Sequence, residues 1–191
     1  MKKGNFILFE GISGSGKSTQ AKIISQILKA KYFKEPPRKG SFSFVRKIIL
    51  KENLDSLNEF FLFLAQRRFI YLQIEKLLNK GINIILERSF PSTYVYQYEI
   101  GGLKKFLKFK EVFNLDLKAR NFLEPDFVFV FDLSPTEALK RLKFKGHKYE
   151  KLKILKLARK YYLFYAKKFD WLIIRADQPK EIISQEVLRF L

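Results

Sequence analysis

Eight residues near the N-terminus have the types and the spacing of a phosphate-binding loop. The segment Gly11-Ile12-Ser13-Gly14-Ser15-Gly16-Lys17-Ser18 matches the pattern G-x-x-x-x-G-K-[ST]. Glycines let backbone N–H groups converge on a phosphate, and a following helix adds the positive end of its dipole. We expect Lys17 to reach the β- and γ-phosphates of a nucleotide and the Ser18 hydroxyl to help hold Mg²⁺. The segment therefore predicts a nucleotide-phosphate site.

The surrounding sequence supplies the frame that such a loop needs. An apolar run at residues 6–9 predicts a strand before the loop, and an amphipathic pattern at residues 19–30 predicts a helix after it. The alternative, a Gly/Ser linker that matches the pattern by chance, does not explain this frame. A phosphate-binding loop alone leaves kinases, GTPases and other ATPases open as possible functions.

Alternating strands and helices predict the architecture that must position the loop. Apolar segments predict five strands, at residues 6–9, 31–35, 82–86, 127–131 and 171–174. Helical patterns cover residues 19–30, 57–79, 106–122, 136–143, 152–168 and 180–191. Uninterrupted apolar runs are typical of parallel strands that are covered on both faces. We therefore predict an α/β fold with a parallel sheet, and mobile loops beside the phosphate site at residues 36–43 and 145–150.

Composition limits the class of protein without choosing the ligand. The 191 residues fit a single domain, and 38 Lys+Arg against 19 Asp+Glu give a formal charge of +19. Such a charge attracts polyanions, which include both phosphorylated small molecules and nucleic acid. The chain contains no Cys, so it has no disulfides, and no apolar run approaches the length of a membrane span. We expect a cytoplasmic protein that does not contact a membrane.

Further motifs resemble the thymidylate kinase family of P-loop nucleoside monophosphate kinases. The segment Phe9-Glu10-Gly11 through Thr19-Gln20 looks like that family's form of the loop. Other matches follow in order along almost the whole chain: Glu35-Pro36, residues 45–50, residues 62–67, residues 87–97, residues 125–142 and Asp177-Gln178-Pro179. The resemblance implies a three-layer α/β/α sandwich with a five-stranded parallel sheet and a short lid at about residues 143–150. It also implies transfer of the γ-phosphoryl group of Mg·ATP to dTMP.

The resemblance also implies where the acceptor nucleotide binds. Phe63 would stack on thymine and Arg67 would bind its carbonyl group, and the i, i+4 spacing of these residues does place them on one helix face. Tyr96 would press against the 2′ position of the sugar. The full set of substrate-binding residues implied is Glu35, Phe63, Arg67, Arg88, Ser92, Thr93, Tyr96 and Gln97.

The donor side and the catalytic groups follow from the same matches. Arg88 would clamp the acceptor and the transferred phosphoryl group, and Glu87 would orient Mg²⁺ or the attacking oxygen. We expect Ser18 and Glu87 to hold the metal, and Lys17, Glu87, Arg88 and the lid residues Lys145 and Lys148 to serve catalysis. The residues expected to contact ATP are Gly11, Ser13, Gly14, Ser15, Gly16, Lys17, Ser18, Thr19, Arg141 and Gln178.

Departures from the family pattern keep other functions open. Ser13 stands where the family usually has an acid, Glu87 stands in place of Asp, and the cations of the lid are lysines. One alternative is a kinase of this fold with another acceptor, such as dUMP, a different deoxynucleotide or a deoxynucleoside. A less favoured one is a basic nucleic-acid-binding protein that retains the loop. The resemblance and the aromatic segment at residues 60–65 predict a homodimer.

Overall fold

Five parallel strands form a single sheet in the computed structural model, which describes residues 3–142 and 149–191. The strands are β1 (Phe6–Glu10), β2 (Lys31–Lys34), β3 (Ile84–Glu87), β4 (Phe127–Asp132) and β5 (Leu172–Arg175). Their order in the sheet is β2-β3-β1-β4-β5, and every neighbouring pair is parallel. The predicted five-stranded parallel sheet is confirmed, with strand ends shifted by one or two residues.

Eight α-helices lie between and after these strands in the described parts of the chain. They are α1 (Lys17–Ile27), α2 (Ser43–Lys51), α3 (Ser56–Leu78), α4 (Phe90–Thr93), α5 (Phe109–Ala119), α6 (Pro135–Arg141), α7 (Leu152–Lys168) and α8 (Lys180–Leu188). A π-helical segment, Tyr94–Ile100, continues α4, and a 3₁₀ turn, Leu103–Lys105, follows it. The pattern at residues 87–97 did not predict the π-helical segment.

One predicted helix start differs from the structure for a local reason. The pattern at residues 106–122 predicts one helix, but α5 begins only at Phe109. Lys108 has extended backbone angles, and its N–H donates to the carboxylate of Glu111 at 2.7 Å. That bond caps the helix from outside its first turn, so the helix starts later than the apolar pattern does.

The central strands of the sheet are buried because helices cover both of its faces. All residues of β1 and β3 are buried, as expected for central parallel strands. Helices α1 and α8 pack together against one face, whereas α3, α7 and the π-helical segment pack together on the other. This arrangement places the carboxyl ends of the strands, with the loop that follows β1, at one edge of the sheet.

The predicted lid, at about residues 143–150, falls mostly outside the described residues. Lys145 and Lys148 are among the residues outside. Within the described ranges, no helix combines the length and the apolar character needed to cross a membrane.

Candidate active site

The glycine-rich loop bends sharply between β1 and α1. Gly14 and Gly16 have φ angles of 82° and 88°, in the left-handed region that glycine adopts at low cost. A Cβ atom on Gly14 would lie 2.3 Å from the carbonyl oxygen of Ala138, so no other residue fits there. The buried Lys17 donates from Nζ to the carbonyl oxygen of Ile12 at 2.8 Å and so folds back over the loop. This geometry is that of a loop that surrounds a phosphate.

Glu87, at the end of β3, lies beside the start of α1. It accepts hydrogen bonds from Ser18 Oγ at 2.6 Å, from Lys34 Nζ at 2.5 Å and from the hydroxyl of Tyr32. Burial alone would raise the pKa of Glu87, but the charges of Lys17 and Lys34 outweigh burial and lower its pKa from 4.5 to about 2. The predicted metal-binding pair, Ser18 and Glu87, is therefore brought into contact, with the carboxylate ionised.

Arg88 is held by contacts from three directions. Its φ angle is 67°, an uncommon conformation for arginine, and its N–H donates to the carbonyl oxygen of Phe9 at 3.0 Å. The guanidinium donates to Ser92 Oγ at 3.1 Å, to the Tyr162 hydroxyl at 3.2 Å and to Ser13 Oγ at 3.4 Å. These bonds place the Arg88 charge next to the glycine-rich loop.

A buried carboxylate that the sequence did not indicate supports Arg88. Glu10 accepts hydrogen bonds from Ser89 N at 2.7 Å, from Ser92 Oγ at 2.8 Å and from the Tyr162 hydroxyl at 3.0 Å. Burial raises the pKa of Glu10, against the opposing charge of Arg88. Tyr162 lies on α7, far along the chain, so no local spacing could have revealed this network.

Arg67 lies at the centre of a buried ionic cluster. It donates to Glu35 Oε2 from Nε at 3.1 Å and from Nη2 at 3.0 Å, to Asp116 Oδ1 at 2.5 Å, and to Thr93 Oγ1 at 3.0 Å. Asp116 also accepts from the buried Arg120 at 2.7 Å. Among the described residues, four of the five N–H groups of Arg67 thereby have acceptors, and one on Nη1 remains. The pairing with Asp116 and Arg120 was not predicted from the sequence.

A cavity of about 300 Å³ joins the loop to the Arg67 cluster. Every predicted substrate-binding residue lines it: Glu35, Phe63, Arg67, Arg88, Ser92, Thr93, Tyr96 and Gln97. Ser13, Gly14, Lys17, Ser18 and Glu87 line its other side. Three cations that were not predicted from the sequence as site residues also line it, namely Lys34, Arg38 and Arg46. Burial, Arg38 and Arg88 together lower the pKa of Arg46, as expected where cations crowd together around a site for an anion.

A second cavity of about 340 Å³ lies on the other side of the loop. Among the residues expected to contact ATP, it is lined by Gly14, Ser15, Gly16, Lys17, Ser18, Thr19, Arg141 and Gln178. Arg141 is oriented by a 3.0 Å hydrogen bond to the carbonyl oxygen of Ala176. Gly11 lines neither of these two cavities; it lies against β4, where a Cβ atom would come within 2.7 Å of the Phe131 carbonyl oxygen.

Comparisons with known proteins identify relatives along almost the whole chain. Residues 9–187 match the model of the thymidylate kinase family. A thymidylate kinase from Caldanaerobacter subterraneus subsp. tengcongensis is 34% identical, over 95% of this chain and 91% of the relative. A thymidylate kinase from Plasmodium falciparum is 30% identical, over 98% of this chain and 90% of the relative. The solved structure of thymidylate kinase from Candida albicans superposes with a TM-score of 0.81 at 25% identity, covering 98% of this chain and 91% of that one.

Proposed function

The chain belongs to the thymidylate kinase family, and we propose that it transfers the γ-phosphoryl group of ATP to dTMP, giving dTDP and ADP. The observation that carries this proposal is the shared cavity of about 300 Å³. Lys17 and Ser18 of the phosphate-binding loop line one side of it, and Phe63 and Arg67 line the other. One continuous cleft can therefore hold a donor phosphate and a nucleotide base together.

The acceptor is proposed to lie with its base against Phe63. The remaining N–H of Arg67 then meets a carbonyl oxygen of the base, and Tyr96 lies against the sugar. The acceptor phosphate enters the basic part of the cavity, where Arg38, Arg46 and Arg88 supply positive charge. Arginine suits this role because its planar group binds phosphate through two hydrogen bonds at once.

The donor is proposed to occupy the loop and the second cavity. Backbone N–H groups of the loop and Lys17 hold the β- and γ-phosphates, while Arg141 and Gln178 lie where the adenine would bind. Arg88 stabilises the negative charge that spreads over the transferred group. We also propose that Lys145 and Lys148, outside the described residues, approach that charge. The protein needs to position and neutralise the reactants more than to react with them.

The residues at the loop fit a magnesium ion. Mg²⁺ prefers hard oxygen ligands and is usually held by one or two protein groups together with substrate phosphates. Ser18 Oγ and Glu87 Oε1 are such ligands, and the lowered pKa of Glu87 keeps its carboxylate ionised. We propose that these two residues hold the ion. When bound, it would neutralise charge on the phosphate oxygens.

The test is a coupled ADP-release assay across possible acceptors. The panel is dTMP, dUMP, dCMP, dGMP and thymidine, each with Mg·ATP, measured on the wild type and on Ser13→Asp. The proposal expects dTMP to give the highest kcat/KM. Another acceptor that exceeds dTMP by about tenfold, equivalent to about 1.4 kcal/mol, overturns it. In the structure, Ser13 contacts Arg88, so the added carboxylate tests whether the missing acid matters for sugar recognition.

We also propose that the chain forms a homodimer. Within residues 60–65, Phe60 is buried and Phe63 lines the cavity, but Phe61 is 53% exposed. Phe69, two turns further along α3, is exposed as well. An exposed aromatic face on a long helix favours pairing with a second copy. Sedimentation that finds only monomer at micromolar protein would refute this part of the proposal.

A further inference from the structure

A row of residues on α3 faces the acceptor side of the site. Glu59, Phe63 and Arg67 follow one another at intervals of four residues, so they lie along one helix face. Phe63 and Arg67 line the cavity, and Glu59 is buried one turn before them. Nothing in the motifs or in the proposed reaction uses Glu59, although a buried carboxylate is costly unless it has partners.

The Glu59 carboxylate determines how the amide of Gln97 is turned. Glu59 Oε2 accepts a hydrogen bond from Gln97 Nε2 at 2.8 Å and another from the Tyr149 hydroxyl at 2.6 Å. An ionised carboxylate only accepts hydrogen bonds, so the amide must turn its NH₂ group toward Glu59. The carbonyl oxygen of Gln97 then faces the other way.

That carbonyl oxygen is available at the cavity wall. Gln97 is only 3% exposed and lines the cavity. Among the described residues, its Oε1 accepts no hydrogen bond, yet it is not among the polar atoms sealed from solvent. The wall therefore presents one acceptor from Gln97, and Arg67, which lines the same cavity, has one remaining N–H donor.

We propose that Glu59 is a positioning residue that determines base specificity, by fixing Gln97 so that the pocket accepts pyrimidines with an N3–H and a 4-carbonyl group. Thymine and uracil offer this donor and acceptor, whereas cytosine carries a lone pair on N3 and an amino group on C4. Cytosine would set acceptor against acceptor at Gln97 and donor against donor at Arg67. The proposal rests on the proposed function, because it concerns the base of the acceptor nucleotide.

The test compares dTMP with dCMP in Glu59→Met, which removes the acceptor and keeps a side chain of similar length. Without the carboxylate, the Gln97 amide can turn and offer its NH₂ group to cytosine N3. The ratio of kcat/KM for dTMP to kcat/KM for dCMP should fall at least about tenfold, as expected for one hydrogen bond that no longer discriminates. If both values fall equally and the ratio is unchanged, Glu59 is only structural and the proposal is wrong.

Two control variants separate orientation from folding. Tyr149→Phe deletes the other hydrogen bond to Glu59 Oε2 and a longer one, at 3.4 Å, from Gln97 Nε2 to the Tyr149 hydroxyl. It keeps the 2.8 Å bond from Gln97 to Glu59, so the ratio should stay within about threefold of the wild type. Glu59→Gln keeps an acceptor oxygen, and it should recover most of the ratio that Glu59→Met loses. A ratio that falls equally in Tyr149→Phe, or that Glu59→Gln does not recover, contradicts the proposal.

A second variant keeps the proposal testable even if Glu59→Met does not fold. Gln97→Met removes the amide itself and should lower the ratio by itself. In the Gln97→Met background, Glu59→Met should cause no further change in the ratio, because Glu59 acts through Gln97. An unchanged ratio in Gln97→Met overturns the proposal. A wild type that does not phosphorylate dTMP would refute the proposed function instead, so the two failures are distinguishable.

Discussion

Glu35 and Glu87 lie side by side at the edge of the sheet, yet their environments shift their pKa values in opposite directions. Glu35 follows β2, Glu87 ends the neighbouring strand β3, and the Glu35 N–H donates to the Glu87 carbonyl oxygen at 2.9 Å. Burial raises the pKa of Glu35 from 4.5 to about 7. The pKa of Glu87 is instead lowered to about 2.

The difference comes from how each carboxylate shares its cations. Lys17 and Lys34 both act on Glu87 and together outweigh burial, so the charged form is favoured, although Lys17 also interacts with Glu10. Arg67 divides its charge between Glu35 and Asp116, and the Asp116 charge itself opposes ionisation of Glu35. One cluster therefore has positive charge left for phosphates, whereas the other is closed on itself. We expect damage to the closed cluster to cost stability, and damage to the open cluster to cost rate.

The largest expected effect is the loss of stability in Asp116→Asn. Asp116 is buried between Arg67 and Arg120, at 2.5 Å and 2.7 Å, so removing its charge leaves two buried guanidinium groups under-compensated. The free energy of unfolding should fall by about 3 kcal/mol or more in denaturant titrations. The matched control is Asp132→Asn, which breaks a pair with Arg159 whose side chains are 20% and 40% exposed; it should cost less than about 1 kcal/mol. Equal losses would remove the distinction between a closed cluster and a surface pair.

The next effect is a dependence of stability on pH that Glu35→Gln removes. The pKa of Glu35 is about 7 in the folded protein and 4.5 in the unfolded chain. Between these pH values, the native state therefore holds a proton that the unfolded chain has already lost. Stability should therefore decrease as the pH rises from 4.5 to 7, by about 3 kcal/mol in total for this group. Over that range, the unfolding free energy of Glu35→Gln should rise relative to that of the wild type. Parallel curves would show that Glu35 is ionised as usual.

Glu87 should change the dependence of unfolding free energy on pH in the opposite direction. Its lowered pKa contributes stability that is present above pH 4.5 and is lost as the pH falls toward 2. The deficit of Glu87→Gln relative to the wild type should therefore shrink on acidification from pH 4.5 to 2. A deficit that does not change with pH would mean that Lys17 and Lys34 do not hold this carboxylate ionised.

The third effect is on turnover. Glu87→Gln should lower kcat by at least about a hundredfold at saturating ATP and dTMP, because the open cluster is proposed to organise the metal and the transferred phosphate. The neighbouring Glu35→Gln is the control: it disturbs the Arg67 side, so KM for dTMP should rise while kcat stays within about tenfold. Steady-state kinetics of both variants measures these changes. Similar losses of kcat in Glu87→Gln and Glu35→Gln would show that the two clusters act on the same catalytic step.

The same contrast explains what could be predicted from the sequence. The glycine-rich loop and the five strands are contiguous patterns, so their residues could be named from local spacing, and the structure confirms the parallel sheet. Phe63 and Arg67 could be predicted as binding residues because helical spacing and family resemblance agree, and both line the cavity. Two pairs join residues that are far apart in the sequence, namely Glu10 with Tyr162 and Arg67 with Asp116. Apolar periodicity does not predict such contacts between polar side chains. The π-helical segment Tyr94–Ile100 could not be predicted either, because its wider turn depends on packing rather than on local propensity.

The smallest effect concerns Gln66, the residue next to Arg67 on α3. Both are buried, but the Gln66 amide nitrogen and oxygen have no hydrogen-bond partner among the described residues, whereas Arg67 makes four hydrogen bonds. An unpartnered buried amide costs stability, so Gln66→Met, of similar volume, should raise the free energy of unfolding by about 1 kcal/mol. The kinetic constants for dTMP should not change, because Gln66 does not line the cavity. A loss of stability in denaturant titration would mean that the Gln66 amide has a hydrogen-bond partner in solution. The contrast between an unpartnered Gln66 and an Arg67 that makes four hydrogen bonds would then be wrong.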